Sequence, residues 1–185
     1  MRFTIPGVLA LAMAGSTAVA GTLPSLTCLK APSVIQAFDI NRGLGIWQKE
    51  LCDQGCDIRL SNYQTQIREV AIYAIKTESA NMGASELVPH YITLLDAWFD
   101  LLMKTCGASK FGDVNLCSPD VPMTQLLQCM KWNAFQTAWE NSASIWPILS
   151  THCQKQYDFF ANDNFLVNVA PAHAQKFAAE QCKKV

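Results

Sequence analysis

The chain contains no Asn-x-Ser/Thr triplet, so it offers no acceptor for N-glycosylation. Basic residues do not cluster. Lys183-Lys184 is the only basic doublet, and the formal net charge is −1. A nucleic-acid surface needs concentrated positive charge, so that class of partner is not expected. After the first twenty residues the longest apolar stretch is Ile92 to Leu102, and Asp96 and Asp100 interrupt it. That excludes a transmembrane helix in the remainder, and the charged doublet near the end argues against a lipid-anchor tail. Catalytic signatures are also missing. There is no His-Glu-x-x-His and no Gly-x-Ser-x-Gly, and the tripeptides Gly83 to Ser85 and Gly107 to Ser109 lack the second glycine.

The start of the chain and its cysteines carry the strongest signal. Met1-Arg2 is positive, Ile5 to Met13 is mostly apolar, and Ala18-Val19-Ala20 has the small-x-small form of a cleavage site. Residues 1–20 read as a secretory signal peptide, leaving 21–185 as one domain. Eight cysteines follow: Cys28, Cys52, Cys56, Cys106, Cys117, Cys129, Cys153 and Cys182. An even set in an exported chain predicts disulfides, and with them a secreted, extracellular location. Zinc is not expected, because exported thiols are normally oxidised and only His90, His152 and His173 are on offer as partners. If Cys52 and Cys56 share a helix face, each reaches a different neighbouring element. Cys106 and Cys117 bracket a turn-rich loop that a local bond would close. The spacing leaves the full connectivity open.

Apolar spacing predicts an all-α fold, a single disulfide-stapled bundle of about five to seven helices. Pro32-Ser33 opens a first segment that Gly43 and Gly45 interrupt before Trp47. Ser61 or Asn62 is the expected N-cap of the next helix, whose face is Tyr63, Ile67, Val70, Ala71 and Ala74. Pro89 suits the first turn of a third helix. Ile92, Leu95, Trp98, Phe99 and Leu102 form its core side, with Asp96, Asp100 and Lys104 opposite. A long helix follows Asp120 or Pro122 through Leu126, Leu127, Met130, Ala134 and Ala138, with Trp132, Phe135 and Trp139 on an adjacent stripe. Pro147 is expected to break the chain after Trp146. Further helices carry Cys153, Tyr157 and Phe160, then Phe177 and Cys182 from about Pro171 onward. Only Leu166 to Val169 has β character, and a lone strand is not stable.

No constellation stands out as a catalytic, cofactor or metal site. Asp96 and Asp100 have the proximity of an acid–base pair, but with Lys104 continuing the row a solvated helix face is the better reading. The five tryptophans, Trp47, Trp98, Trp132, Trp139 and Trp146, read first as core and second as the lining of an apolar ligand pocket.

The start Met1-Arg2-Phe3-Thr4, the small-residue-rich export signal, the size of the remaining chain and the eight cysteines together resemble the small cysteine-rich secreted proteins of filamentous fungi, including their effector-type proteins. The spacing Cys52-x3-Cys56 also looks like the insect odorant-binding pattern, but the intervals from Cys56 to Cys106 and from Cys117 to Cys129 are too long for it. The fungal resemblance implies a non-enzymatic virulence protein that binds a host or extracellular protein and modulates plant immunity or cell death. Two alternatives are an extracellular carrier of a small hydrophobic ligand and a small secreted hydrolase with dispersed catalytic residues. A binding protein should expose an aromatic patch, a carrier should enclose a tryptophan-lined cavity, and a hydrolase should set a histidine beside a carboxylate or hydroxyl in a cleft.

Overall fold

The computed structural model describes Lys30, Ser33 and residues 36–161 and 164–182. The expected signal peptide, Cys28 and most of the segment opened by Pro32 lie outside the described residues. Seven α-helices of eight residues or more are present, and no strand occurs among the described residues. They are α1 Ile40–Trp47, α2 Arg68–Asn81, α3 Val88–Lys104, α4 Met123–Glu140, α5 Ser142–Ser150, α6 Cys153–Ala161 and α7 Ala170–Phe177. Wider π turns extend several of them: Gln48–Cys52 after α1, Tyr63–Ile67 before α2, and Phe165–Val169 and Ala178–Cys182 on either side of α7. Helix α3 is central and packs against α2, α4 and α5, while α7 closes against α1 and α2.

Local chemistry explains most boundaries and corrects several expectations. The Asp39 carboxylate caps α1 by accepting from the Arg42 amide at 3.1 Å. Gly43 and Gly45 do not interrupt this helix but lie inside it. The second helical segment enters through a 3-10 turn at Leu60–Asn62, and Asn62 makes no side-chain cap. Pro89 occupies the first turn of α3, where a missing amide hydrogen costs nothing. Pro147 does not break the chain. It sits inside α5, and the break falls at Asn141 instead. Pro147 removes one backbone bond, while Ile145 is buried and the helix closes at its C-terminal end with Thr151 Oγ1 donating to the Pro147 carbonyl at 2.7 Å. Helix α2 ends on Gly83 at φ +63°, where the Gly83 and Ala84 amides donate back to the Ala80 and Ser79 carbonyls. That left-handed turn favours glycine.

The main core is built on the irregular segments as much as on helix faces. Leu51, Cys56, Ile58, Leu60, Ala108, Leu116, Val121, Leu126, Phe177 and Ala178 form one buried cluster. Residues 56–60 and 108–121 run side by side through its centre. The Leu116 amide donates to the Ile58 carbonyl at 2.8 Å, and the Ser61 amide to the Gly112 carbonyl at 2.9 Å. Three disulfides surround this region: Cys52–Cys117, Cys56–Cys182 and Cys106–Cys129. Cys153 is also disulfide-bonded. Cys52 and Cys56 thus reach different elements, whereas Cys106 and Cys117 do not close their loop on each other. Cys106 lies at the end of α3 and reaches into α4. Cys117 is bonded to Cys52 at the end of the turn after α1, and its amide donates to Asn115 Oδ1 at 3.0 Å.

Candidate functional site: an exposed aromatic face

Helix α4 has two unlike sides. Leu126, Ala134 and Thr137 are buried, and Cys129, partly buried at the flank between the two sides, is bonded to Cys106. Lys131 Nζ donates to the Phe38 carbonyl at 2.9 Å, which ties the helix to the start of α1. The outer side carries Gln125, Gln128, Trp132, Phe135, Gln136 and Trp139, all exposed. Trp132 is 75% exposed, Trp139 71% and Phe135 51%, and on the next helix Trp146 is 49% exposed. The expectation that the tryptophans are core side chains therefore fails for three of the five. The stripe at 132, 135 and 139 has helical spacing, but Leu126, Ala134 and Thr137 take the buried side of the helix. Trp47 packs against the core and Trp98 is half-buried.

An open cavity of about 530 Å³ lies between the start of the second helical segment, α3 and the C-terminal end of α4. Tyr63, Asp96, Asp100, Lys104, Thr137 and Glu140 line it, and no tryptophan does. Asp96 is partly exposed but not free on its helix face. Arg68 grips both of its oxygens at 2.8 Å, and the Tyr63 hydroxyl donates to it at 3.1 Å. The Arg68 guanidinium holds the Asp96 carboxyl below its ordinary range. Burial, helped by the hydrogen bond to Asp96, pushes the Tyr63 phenol up. The Tyr63 ring stacks on Phe99 with centroids 3.5 Å apart. Asp100 pairs with Lys104 at 2.7 Å, both exposed, as a solvated helix pair does. The two aspartates are thus committed to separate cations. A general acid needs a raised carboxyl pKa, and Asp96 is shifted the opposite way.

Each histidine joins two elements. His90 Nδ1 lies 2.6 Å from the Ser144 carbonyl and so donates to it, linking α3 to α5. His152 Nε2 meets Glu86 Oε1 at 2.6 Å, from a backbone position with φ +51° between α5 and α6. His173 Nε2 on α7 meets Glu78 Oε1 on α2 at 2.8 Å, with the Tyr73 ring edge-on at 6.2 Å. None of the three lines the 530 Å³ cavity. Among the described residues, no serine or threonine hydroxyl is hydrogen-bonded to a histidine ring, and no three His, Cys, Asp or Glu side chains gather where they could hold a metal ion.

No described helix is long and apolar enough to cross a membrane. Comparison with protein-family models, with curated proteins and with solved structures returns no match.

Proposed function

We propose that this protein acts outside the cell by binding, as an effector-like secreted protein does, and that the aromatic face of α4 is its contact surface. The observation that carries this reading is the exposure of Trp132, Phe135 and Trp139 on a helix held in place by the Cys106–Cys129 disulfide and by Lys131. Large rings facing water on a fixed support are unfavourable for folding alone, and such patches mark interaction sites. The carrier alternative draws less support, because the cavity is open and has no tryptophan in its wall. The hydrolase alternative draws less as well. The His–Glu pairs lie outside that cavity, and among the described residues no serine or threonine hydroxyl is hydrogen-bonded to their rings.

The target we propose is a plant host, on the strength of the fungal resemblance. The test is infiltration of purified, oxidised protein into leaf tissue, scoring cell death and defence output. Trp132→Ala and Trp139→Ala should each reduce the response while circular dichroism stays unchanged. His90→Ala, His152→Ala and His173→Ala should leave it mostly intact. A folded histidine variant without any activity would overturn the reading in favour of the hydrolase.

A further inference from the structure

Thr137, Glu140 and Asn141 stand at positions i, i+3 and i+4 at the end of α4, so they share one side of its last turn. All three line the cavity of about 530 Å³. Each brings an oxygen acceptor that the protein leaves unused. Glu140 Oε1 accepts from Gln136 at 2.9 Å, Oε2 accepts nothing, and no cation meets this carboxylate among the described residues. Asn141 Nδ2 is turned back onto the Thr137 carbonyl at 2.8 Å, which leaves its Oδ1 without a partner. Thr137 is only 9% exposed, yet its hydroxyl makes no hydrogen bond among the described residues. A buried hydroxyl ordinarily has one.

The rest of the wall limits what can sit there. Asp96 is held by Arg68 and Asp100 by Lys104, so Glu140 is the carboxylate of this wall that has no counter-ion. An anion would meet that uncompensated charge. A divalent metal needs more charged ligands than one carboxylate, a hydroxyl and an amide offer, and no three His, Cys, Asp or Glu side chains gather to hold one among the described residues. A primary ammonium suits the corner: it is positive and carries three N–H donors and no acceptor. The Tyr63 ring stacked on Phe99, with Ala97 and Leu101, gives the same cavity an apolar side for the carbon chain behind the ammonium. The volume falls within the range of small-molecule sites, roughly 300–1,000 Å³.

We propose that this cavity binds a small primary amine, whose ammonium donates to Glu140, Thr137 Oγ1 and Asn141 Oδ1 while its carbon chain lies along the Phe99 side. The assignment goes beyond the contact reading above and does not rest on it, since the aromatic strip at 132, 135 and 139 lines no part of this cavity. It also differs from a carrier of an apolar ligand, because here the charge supplies the recognition.

The test is titration of the oxidised full chain with n-pentylammonium, n-pentyltrimethylammonium and n-pentanol, followed by backbone amide shifts in NMR spectra. The primary ammonium should saturate, with shifts centred on residues 137–141. The trimethylammonium probe keeps the charge but has no N–H to donate, and it should bind severalfold more weakly. Pentanol should not bind measurably. Glu140→Gln should weaken pentylammonium about tenfold or more, the loss of a charge-assisted hydrogen bond. Thr137→Val should weaken it severalfold, and Thr137→Ser, which keeps the hydroxyl, should retain it. Asp113→Asn, at an exposed acid outside the cavity, should change nothing. The absence of any saturable shift overturns the proposal. So does pentanol binding as tightly as pentylammonium, or a Glu140→Gln variant that is folded by circular dichroism and binds as before. Equal affinity for the two cations overturns it as well, since charge alone would then suffice. The leaf response of the tryptophan variants is measured separately, so either reading can fail without the other.

Discussion

The Asn115 side chain reaches Ile58 across 57 residues of sequence, its Oδ1 accepting from the Ile58 amide at 3.3 Å. The same oxygen accepts from the Cys117 amide at 3.0 Å, and Nδ2 donates to the Cys56 carbonyl at 3.3 Å. One amide thus does for two irregular segments what a ladder does for strands. Asn115→Ala leaves those backbone groups without partners at the edge of the core. Stability should fall by about 1–3 kcal/mol, read as a lower urea midpoint with the disulfides intact.

The disulfides should be recoverable as described. Non-reducing peptide mapping is expected to return Cys52–Cys117, Cys56–Cys182 and Cys106–Cys129 and no alkylated Cys153. A linked Cys106–Cys117 peptide would contradict the structure. Among paired Cys→Ser variants, the Cys56/Cys182 pair should be the most damaging. It spans 126 residues, and its cysteines sit in or against the core. Losing such a bond costs about 2–5 kcal/mol.

The pH dependence of stability should have an acid limb set partly by Asp96. Arg68 lowers its folded pKa below the unfolded value, so the stabilisation is complete above about pH 4 and drains away as pH falls through the folded value. Asp96→Asn should be less stable than the wild type at neutral pH and lose less on acidification. Urea midpoints across the acid range will measure the difference.

An alkaline limb should come from Tyr63 and Tyr91, whose phenols burial pushes up. Here the sign is reversed. The contribution is whole below about pH 10 and is lost as pH rises through the folded values. Phenolate absorbance should show two tyrosines that ionise only with unfolding, and Tyr63→Phe should remove one of them.

Much of the helical layout was legible from apolar spacing, because positions such as Leu126, Ala134 and Phe177 keep one side inward over several turns. Pro147 misled because tertiary contacts outweigh one missing backbone bond in a nine-residue helix. The site was half legible. The stripe at 132, 135 and 139 was visible as a stripe, but periodicity does not say which of two faces is buried, and ring size alone favours the inside. One signal pointed outward: the small residue Ala134, in register with Leu126 and Thr137 on the buried side. The grip of Arg68 on Asp96 joins two helices across 28 residues, and no local pattern marks such a pairing.

Each of the three mapped disulfides has one cysteine at or before position 106 and the other at or after 117. A protease that cuts anywhere between them, for example at the exposed Lys110, severs the backbone without releasing a fragment. The two pieces stay tied three times over, with α4 still clamped to the end of α3. A nicked molecule should therefore migrate as one species until it is reduced, and its aromatic face should outlast the intact chain.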